Sequence, residues 1–183
     1  QYLKKLPQAI SLFDARTARR RCLPPLLLQL KDEQLALFAL PSVLVICQEM
    51  GMAEFEDRVF PSLKHLLTVK EPPQMISVLL KQLSLLTHKT DQANQRDYVI
   101  PLVLRALSSP LPQLRLQALK ELTPVAASGR LDFRELKVHL LPHVCKLCSA
   151  PGPVSIRVNA LLCISKILAL FDQDTIETIL TAV

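Results

Sequence analysis

The sequence holds no tryptophan, two tyrosines, six phenylalanines and only three glycines in 183 residues. Sheet folds draw on aromatic and β-branched residues for their strands and on glycine for tight turns, so this shortage argues against a β-rich architecture. Three isolated glycines leave no Gly-rich loop of the kind that cradles a phosphate. No G-x-S-x-G elbow, no H-E-x-x-H pair and no H-R-D with D-F-G occurs, which removes the hydrolase, zinc-protease and kinase signatures. The four histidines (His65, His88, His139, His143) have no evident carboxylate and nucleophile beside them in the sequence. No catalytic residue and no cofactor are therefore expected. The longest apolar stretch, residues 35–47, is interrupted by Pro41 and too short to span a bilayer. No leader-like pattern opens the chain, and its first residue is Gln1. The expectation is a soluble segment that begins inside a larger protein.

What remains is aliphatic, and half of the residues are hydrophobic, so disorder is not expected. Leucine-rich, glycine-poor composition favours helices. The 22 basic residues are interleaved with 16 acidic ones for a net charge of +6, the mixture of a solvated surface with some preference for acidic partners. Five cysteines (Cys22, Cys47, Cys145, Cys148, Cys163) are an odd number scattered through apolar segments. They read as reduced, core-filling residues and not as a disulfide framework.

The sequence repeats. Residues 114–127, LRLQALKELTPVAA, align with residues 156–169, IRVNALLCISKILA. Arg115 falls on Arg157, Ala118 on Ala160, Leu119 on Leu161, Leu122 on Ile164 and Val125 on Ile167. These apolar positions trace one stripe on a helix of 3.6 residues per turn. A proline-containing helix precedes each: Pro101 lies in YVIPLVLRAL and Pro142 in HLLPHVCKLC, with Pro61 in RVFPSLKHLL and Pro24 in CLPPLLLQL earlier. An interior proline costs a helix about 3 kcal/mol, so its recurrence at intervals of about 40 residues marks a structural unit. Gly51 and Gly129 each follow a predicted inner helix, where a left-handed cap favours glycine, and Gly152 lies in a turn within a pair.

The reading is all-α: a HEAT-repeat α-solenoid, a right-handed superhelix of antiparallel helix pairs, present as a fragment in one segment over residues 1–183. Four pairs are predicted at about 16–50, 53–90, 93–129 and 132–171. Residues 2–13 read as the second helix of a truncated repeat and 173–183 as the start of another. The match is sharpest in the last two pairs; the inner helix of the second, PQMISVLLKQLSLLT, lacks the arginine.

Arg115 and Arg157 stand at equal phase inside apolar stripes. They could form an anion-binding row, but the structural reading outweighs it: each guanidinium would bond between neighbouring repeats, as HEAT arginines do. The usual acidic partner six residues upstream is replaced by Ser109 and Pro151, so the partner is open. His139, His143, Cys145 and Cys148 invite a zinc assignment. At about 100° per residue, His143 lies about 40° from His139, Cys145 about 240° and Cys148 about 180°, and four ligands so spread cannot meet one ion. No metal is expected. Arg16, Arg19 and Arg20, with Arg21 beside them and Lys4 and Lys5 nearby, form the strongest basic cluster. It is a candidate binding patch for phosphates, acidic lipid headgroups or an acidic peptide, against the commoner reading of a solvated helix face. No aromatic residues interleave with these arginines, so nucleic acid is not an expected partner.

The ordered runs RRRCLPPLLLQL, LALFALPSVLVI, VFPSLKHLLTVKEPPQ, VIPLVLRALSSPLPQLRLQAL and SIRVNALLCISKIL resemble the SCY-like pseudokinase family, in its coated-vesicle-associated branch. The resemblance covers essentially the whole chain and implies the HEAT region that follows a kinase-like domain. It implies a non-catalytic adaptor, cytoplasmic and peripheral to Golgi, endosomes or coated vesicles. Its partners would be other proteins, coat or adaptor components linked to clathrin, with membrane association through those partners. Coat contacts in the family are ascribed to a downstream tail, so no coat-binding residue carries over to this sequence, and the nucleotide pocket lies outside it. The alternative from the residues alone is a HEAT module that binds RNA or anionic membrane through Arg16–Arg21.

Overall fold

The computed structural model describes residues 2–10, 12–170, 173, 176 and 177. The predicted partial repeat at 173–183 thus falls largely outside the described residues. These are helical with no strand among them, and the fold is all-α, built from packed helix pairs of the solenoid class. The chain divides into two compact units, residues 1–78 and 79–183.

In the first unit, α1 (Tyr2–Ile10) packs on α3 (Glu33–Gln48). Between them in sequence, Ala15–Thr17, a π turn at Ala18–Cys22 and Leu23–Gln29 run on as one helix, α2, which pairs with α3. Leu23 and Leu26 from α2 and Leu30 just after it are buried, as are Ala36, Ala39, Leu40, Val43, Leu44 and Cys47 from α3. Pro41 does not end α3, which continues through it to Gln48. Next come α4 (Met52–Arg58) and α5 (Phe60–Thr68), packed on each other, with Phe55 and Phe60 buried. The division between units falls within α6 (Pro73–Lys81).

The second unit continues with α7 (Leu83–Lys89). Then follow α8, made of Gln92–Asn94, a π turn at Gln95–Val99 and Ile100–Leu107, and α9 (Pro112–Ala127). Last are α10, made of Phe133–Glu135, a π turn at Leu136–Leu140 and Leu141–Ser149, and α11 (Val154–Ile167). α8 pairs with α9 and α10 with α11, while α9 also lies between α7 and α11 and α8 lies against α10. Buried Gln95 ties α8 to the end of α7: its Nε2 donates to the carbonyls of Thr87 and Thr90 at 2.9 and 3.0 Å. The predicted inner helix of the second pair is broken, with α6 and α7 separated at Gln82.

The recurrent prolines have a geometric explanation. In an α-helix the ring of a proline collides with the carbonyl four residues back. Here the residue before the proline donates five residues back instead: Leu23 to Ala18, Ile100 to Gln95 and Leu141 to Leu136. The wider turn makes room for the rings of Pro24, Pro101 and Pro142 without ending the helix. Before Pro61 the chain uses a break at Val59 instead.

An aspartate stands ten residues before three of these prolines. Asp14, Asp91 and Asp132 cap the starts of α2, α8 and α10, accepting from the backbone N–H groups of Thr17, Asn94 and Arg134 at 2.9, 2.7 and 2.8 Å. Gly51 occupies the same place ten residues before Pro61. The expectation of a left-handed cap at Gly51 is corrected: it is extended (φ −69°, ψ 157°) and begins α4. At Gly129, φ is 68°, the left-handed cap expected after α9.

Candidate interaction site

The arginine cluster begins where Asp14 caps α2. Its carboxyl is held below the usual carboxylate range, chiefly by hydrogen bonds from the side chain and backbone of Thr17. Arg16 precedes the π turn, and Arg19, Arg20 and Arg21 lie within it. The π turn displaces these side chains from the i, i+3, i+4 stripe that a regular helix would give. Arg16, Arg20 and Arg21 are exposed and have no hydrogen-bond or ion-pair partner among the described residues.

Arg19 is different. It is half-buried, its Nε donates to the Ala15 carbonyl at 3.1 Å, and its Nη1 meets Glu54 Oε2 at 3.1 Å. Glu54 Oε1 takes a second bond from Arg58 Nη1 at 2.7 Å, and Arg58 Nη2 reaches the Arg19 carbonyl at 3.5 Å. One carboxylate on α4 therefore joins two guanidiniums and ties α4 to α2. The exposed patch is Arg16, Arg20 and Arg21, with Arg19 committed to the fold. Arg58 belongs to the same cluster and was missed in sequence, where it lies 39 residues from Arg19.

The repeat-phase arginines behave otherwise than expected. Arg115 is half-buried and Arg157 exposed, and the inter-repeat bonds foreseen for them are not formed among the described residues. Arg115 Nε is fully enclosed yet has no acceptor. The difference in exposure extends to Leu119 and Leu161, at 0% and 45%. α9 has helices on two sides, whereas α11 packs on α9 and α10 and leaves Val154, Val158, Leu161 and Leu162 exposed along one stripe. Both arginines nevertheless line one tight recess, with Ile156 and the Pro151–Gly152–Pro153 turn.

The histidines and cysteines of α10 do not converge. His143 Nδ1 lies 3.0 Å from the His139 carbonyl, and His139 Nε2 lies 3.5 Å from Glu135 Oε2. Among the described residues no group of three or more His, Cys, Asp or Glu side chains is placed to hold a metal. Burial pushes the Cys145 and Cys163 thiols up. Cys148 is pushed up to about 11, first by burial and then by its neighbours Cys145 and Cys163. Such thiols stay protonated at neutral pH and are poor nucleophiles. No helix of the described residues is long and apolar enough to cross a membrane.

No protein-family model matches the chain. Over 173 residues, 94% of its length, it is 30% identical to SCY1-like protein 2 of Homo sapiens. It is likewise 30% identical over 173 residues to SCY1-like protein 2 of Mus musculus. The chain spans 18% of the length of each of these relatives. Similarity through nearly all of its paired helices, from the π-turned arginine helix to the last pair, relates this helical segment to the matching segment of SCY1-like protein 2.

Proposed function

We propose that this segment is a non-catalytic protein-binding scaffold within an adaptor of clathrin-linked vesicle traffic, acting in the cytoplasm at Golgi, endosomal or coated-vesicle membranes. The observation that carries this reading is the similarity to SCY1-like protein 2 over 94% of the chain. Physical features agree with it. Stacked helix pairs hold a core while leaving long faces free to vary and bind. α11 exposes four large apolar side chains at helical spacing, a surface suited to another protein. The shielded thiols of Cys145, Cys148 and Cys163 offer no activated nucleophile. The test is saturable binding of the immobilised chain to purified clathrin and clathrin adaptor complexes; an absence of binding to all of them overturns the trafficking assignment.

A second reading has its own observation, the three unpaired arginines Arg16, Arg20 and Arg21. On that reading the patch attaches the segment to anionic membrane or RNA. Binding to acidic liposomes or RNA that falls steeply with salt, and is lost in the R16Q/R20Q/R21Q variant, supports it. Unchanged capture of protein partners by the same variant favours the scaffold alone.

A further inference from the structure

The three unpaired arginines do not stand alone on their surface. Along α2 the exposed positions are Arg16, Arg20, Arg21, Pro24, Pro25 and Leu28, while Ala18, Leu23 and Leu26 are buried. The wider π turn shifts the arginines in angle without burying Arg16, Arg20 or Arg21, so they stay on the solvent side of a helix whose other side packs on α3. Apolar side chains stand at both ends of this run. In the turn before the Asp14 cap, Leu12 is 87% exposed and Phe13 51%, and Leu28 near the far end is 63% exposed. Leu12 is the most exposed large hydrophobic residue among those described. Leu12 and Leu28 lie about 20–25 Å apart along the helix axis, with the arginines between them. Residues 12–28 carry a single acid, Asp14, against four arginines, of which Arg19 is paired with Glu54.

Whatever covers this surface has to be negatively charged and apolar at once. A protein partner would need a separate recess for each protruding side chain. A bilayer interface accepts them anywhere along its plane, with phosphates at the level of guanidiniums and hydrocarbon just beneath. Two of the three apolar residues are leucines, which offer no ring for a base to stack on, so RNA fits less well. We propose that this face of α2, together with the Leu12–Phe13 turn, docks on an anionic lipid bilayer. The arginines lie among the headgroups, and Leu12, Phe13 and Leu28 reach the acyl boundary. The inference rests on the second reading above, which it narrows to membrane and extends by apolar insertion.

The sequence has no tryptophan, so Phe13→Trp supplies a single fluorescent reporter. Vesicles of phosphatidylcholine with phosphatidylserine are the probe, compared with vesicles of phosphatidylcholine alone. Binding is expected to the anionic vesicles, with a blue shift of the F13W emission and a steep fall in affinity with salt. L12S/L28S, at positions outside the core, is expected to bind roughly tenfold more weakly with the same salt dependence. R16Q/R20Q/R21Q is expected to bind roughly a hundredfold more weakly. An F13W emission that stays unmoved on bound vesicles, or L12S/L28S binding as tightly as the parent chain, overturns the insertion and leaves the electrostatic reading standing. Equal binding to both kinds of vesicle, or R16Q/R20Q/R21Q binding like the parent chain, overturns that reading as well. Polyuridylate or acetylated hexaglutamate that binds more tightly than the anionic vesicles overturns the membrane assignment.

Discussion

Arg19 and Glu54 meet at 3.1 Å across 35 residues of sequence, with their side chains 30% and 31% exposed. The contact turns one member of a run of basic residues into a tie between α2 and α4. At this exposure, water screens the pair, and its net worth is below about 1 kcal/mol. Glu54→Gln weakens the bonds to both Arg19 and Arg58. A double-mutant cycle of R19Q and E54Q, read by urea denaturation, is expected to give a coupling of about 0.5 kcal/mol that shrinks in high salt. A coupling of zero would return Arg19 to the free patch.

Gln95 is a stronger fixture, because both carbonyls it serves belong to a buried corner. Gln95→Ala leaves the Thr87 and Thr90 carbonyls without this donor, at a cost of roughly 1–3 kcal/mol. Chemical denaturation should show a lower midpoint with an unchanged slope. A variant as stable as the parent chain would mean that water replaces the amide.

The aspartate caps can be tested at two places. Asp132→Ala removes the acceptor for Arg134 and Glu135 N–H and is expected to cost about 1 kcal/mol. At Asp14 the readout is pH. Its folded carboxyl titrates below the unfolded one, so its contribution is fully present above the unfolded value near 3.8 and is lost as pH falls through the lower folded value. An NMR titration of the Asp14 carboxyl should place the midpoint under 3.8; a midpoint at or above it contradicts the cap geometry.

Cys148 should be slow to alkylate. With the thiol pushed up to about 11 from 9.0, its thiolate fraction at pH 8 is about a hundredfold lower than that of an ordinary cysteine, and iodoacetamide labelling should follow. Peptide mass spectrometry of native and denatured chain gives the comparison, and equal rates would refute the shielding. The sign for stability runs opposite to that of Asp14. Above pH 9 the unfolded thiol releases its proton while the folded one keeps it, so this site lowers stability as pH rises from about 9 to 11.

The core of the repeat can be probed at Leu122, which is 0% exposed. Leu122→Ala is expected to lose 2–5 kcal/mol, on the order of other leucine truncations in packed cores. The same change at Leu161, its side chain 45% exposed, should cost well under half as much. Equal costs would show that α11 is covered on that face.

Local chemistry was enough to place the helices. Leucine spacing and the phase match of residues 114–127 with 156–169 depend only on backbone periodicity, which a single chain displays to anyone who counts. The prolines were legible as a recurrence, and the aspartate or glycine ten residues before each was an available signal that periodic apolar matching overlooks. The π turns were not legible, because a five-residue hydrogen bond leaves no apolar pattern of its own. Tertiary packing decided the rest. Arg115 and Arg157 occupy equal places in the repeat, yet one is half-buried between helices and the other lies open, because α9 has neighbours that α11 lacks among the described residues. Arg16, Arg19, Arg20 and Arg21 are alike in charge and adjacent in sequence. Only the arrival of Glu54 from α4 separates the arginine that holds the fold from the three that face solvent, since an ion pair is set by distance in space and not along the chain.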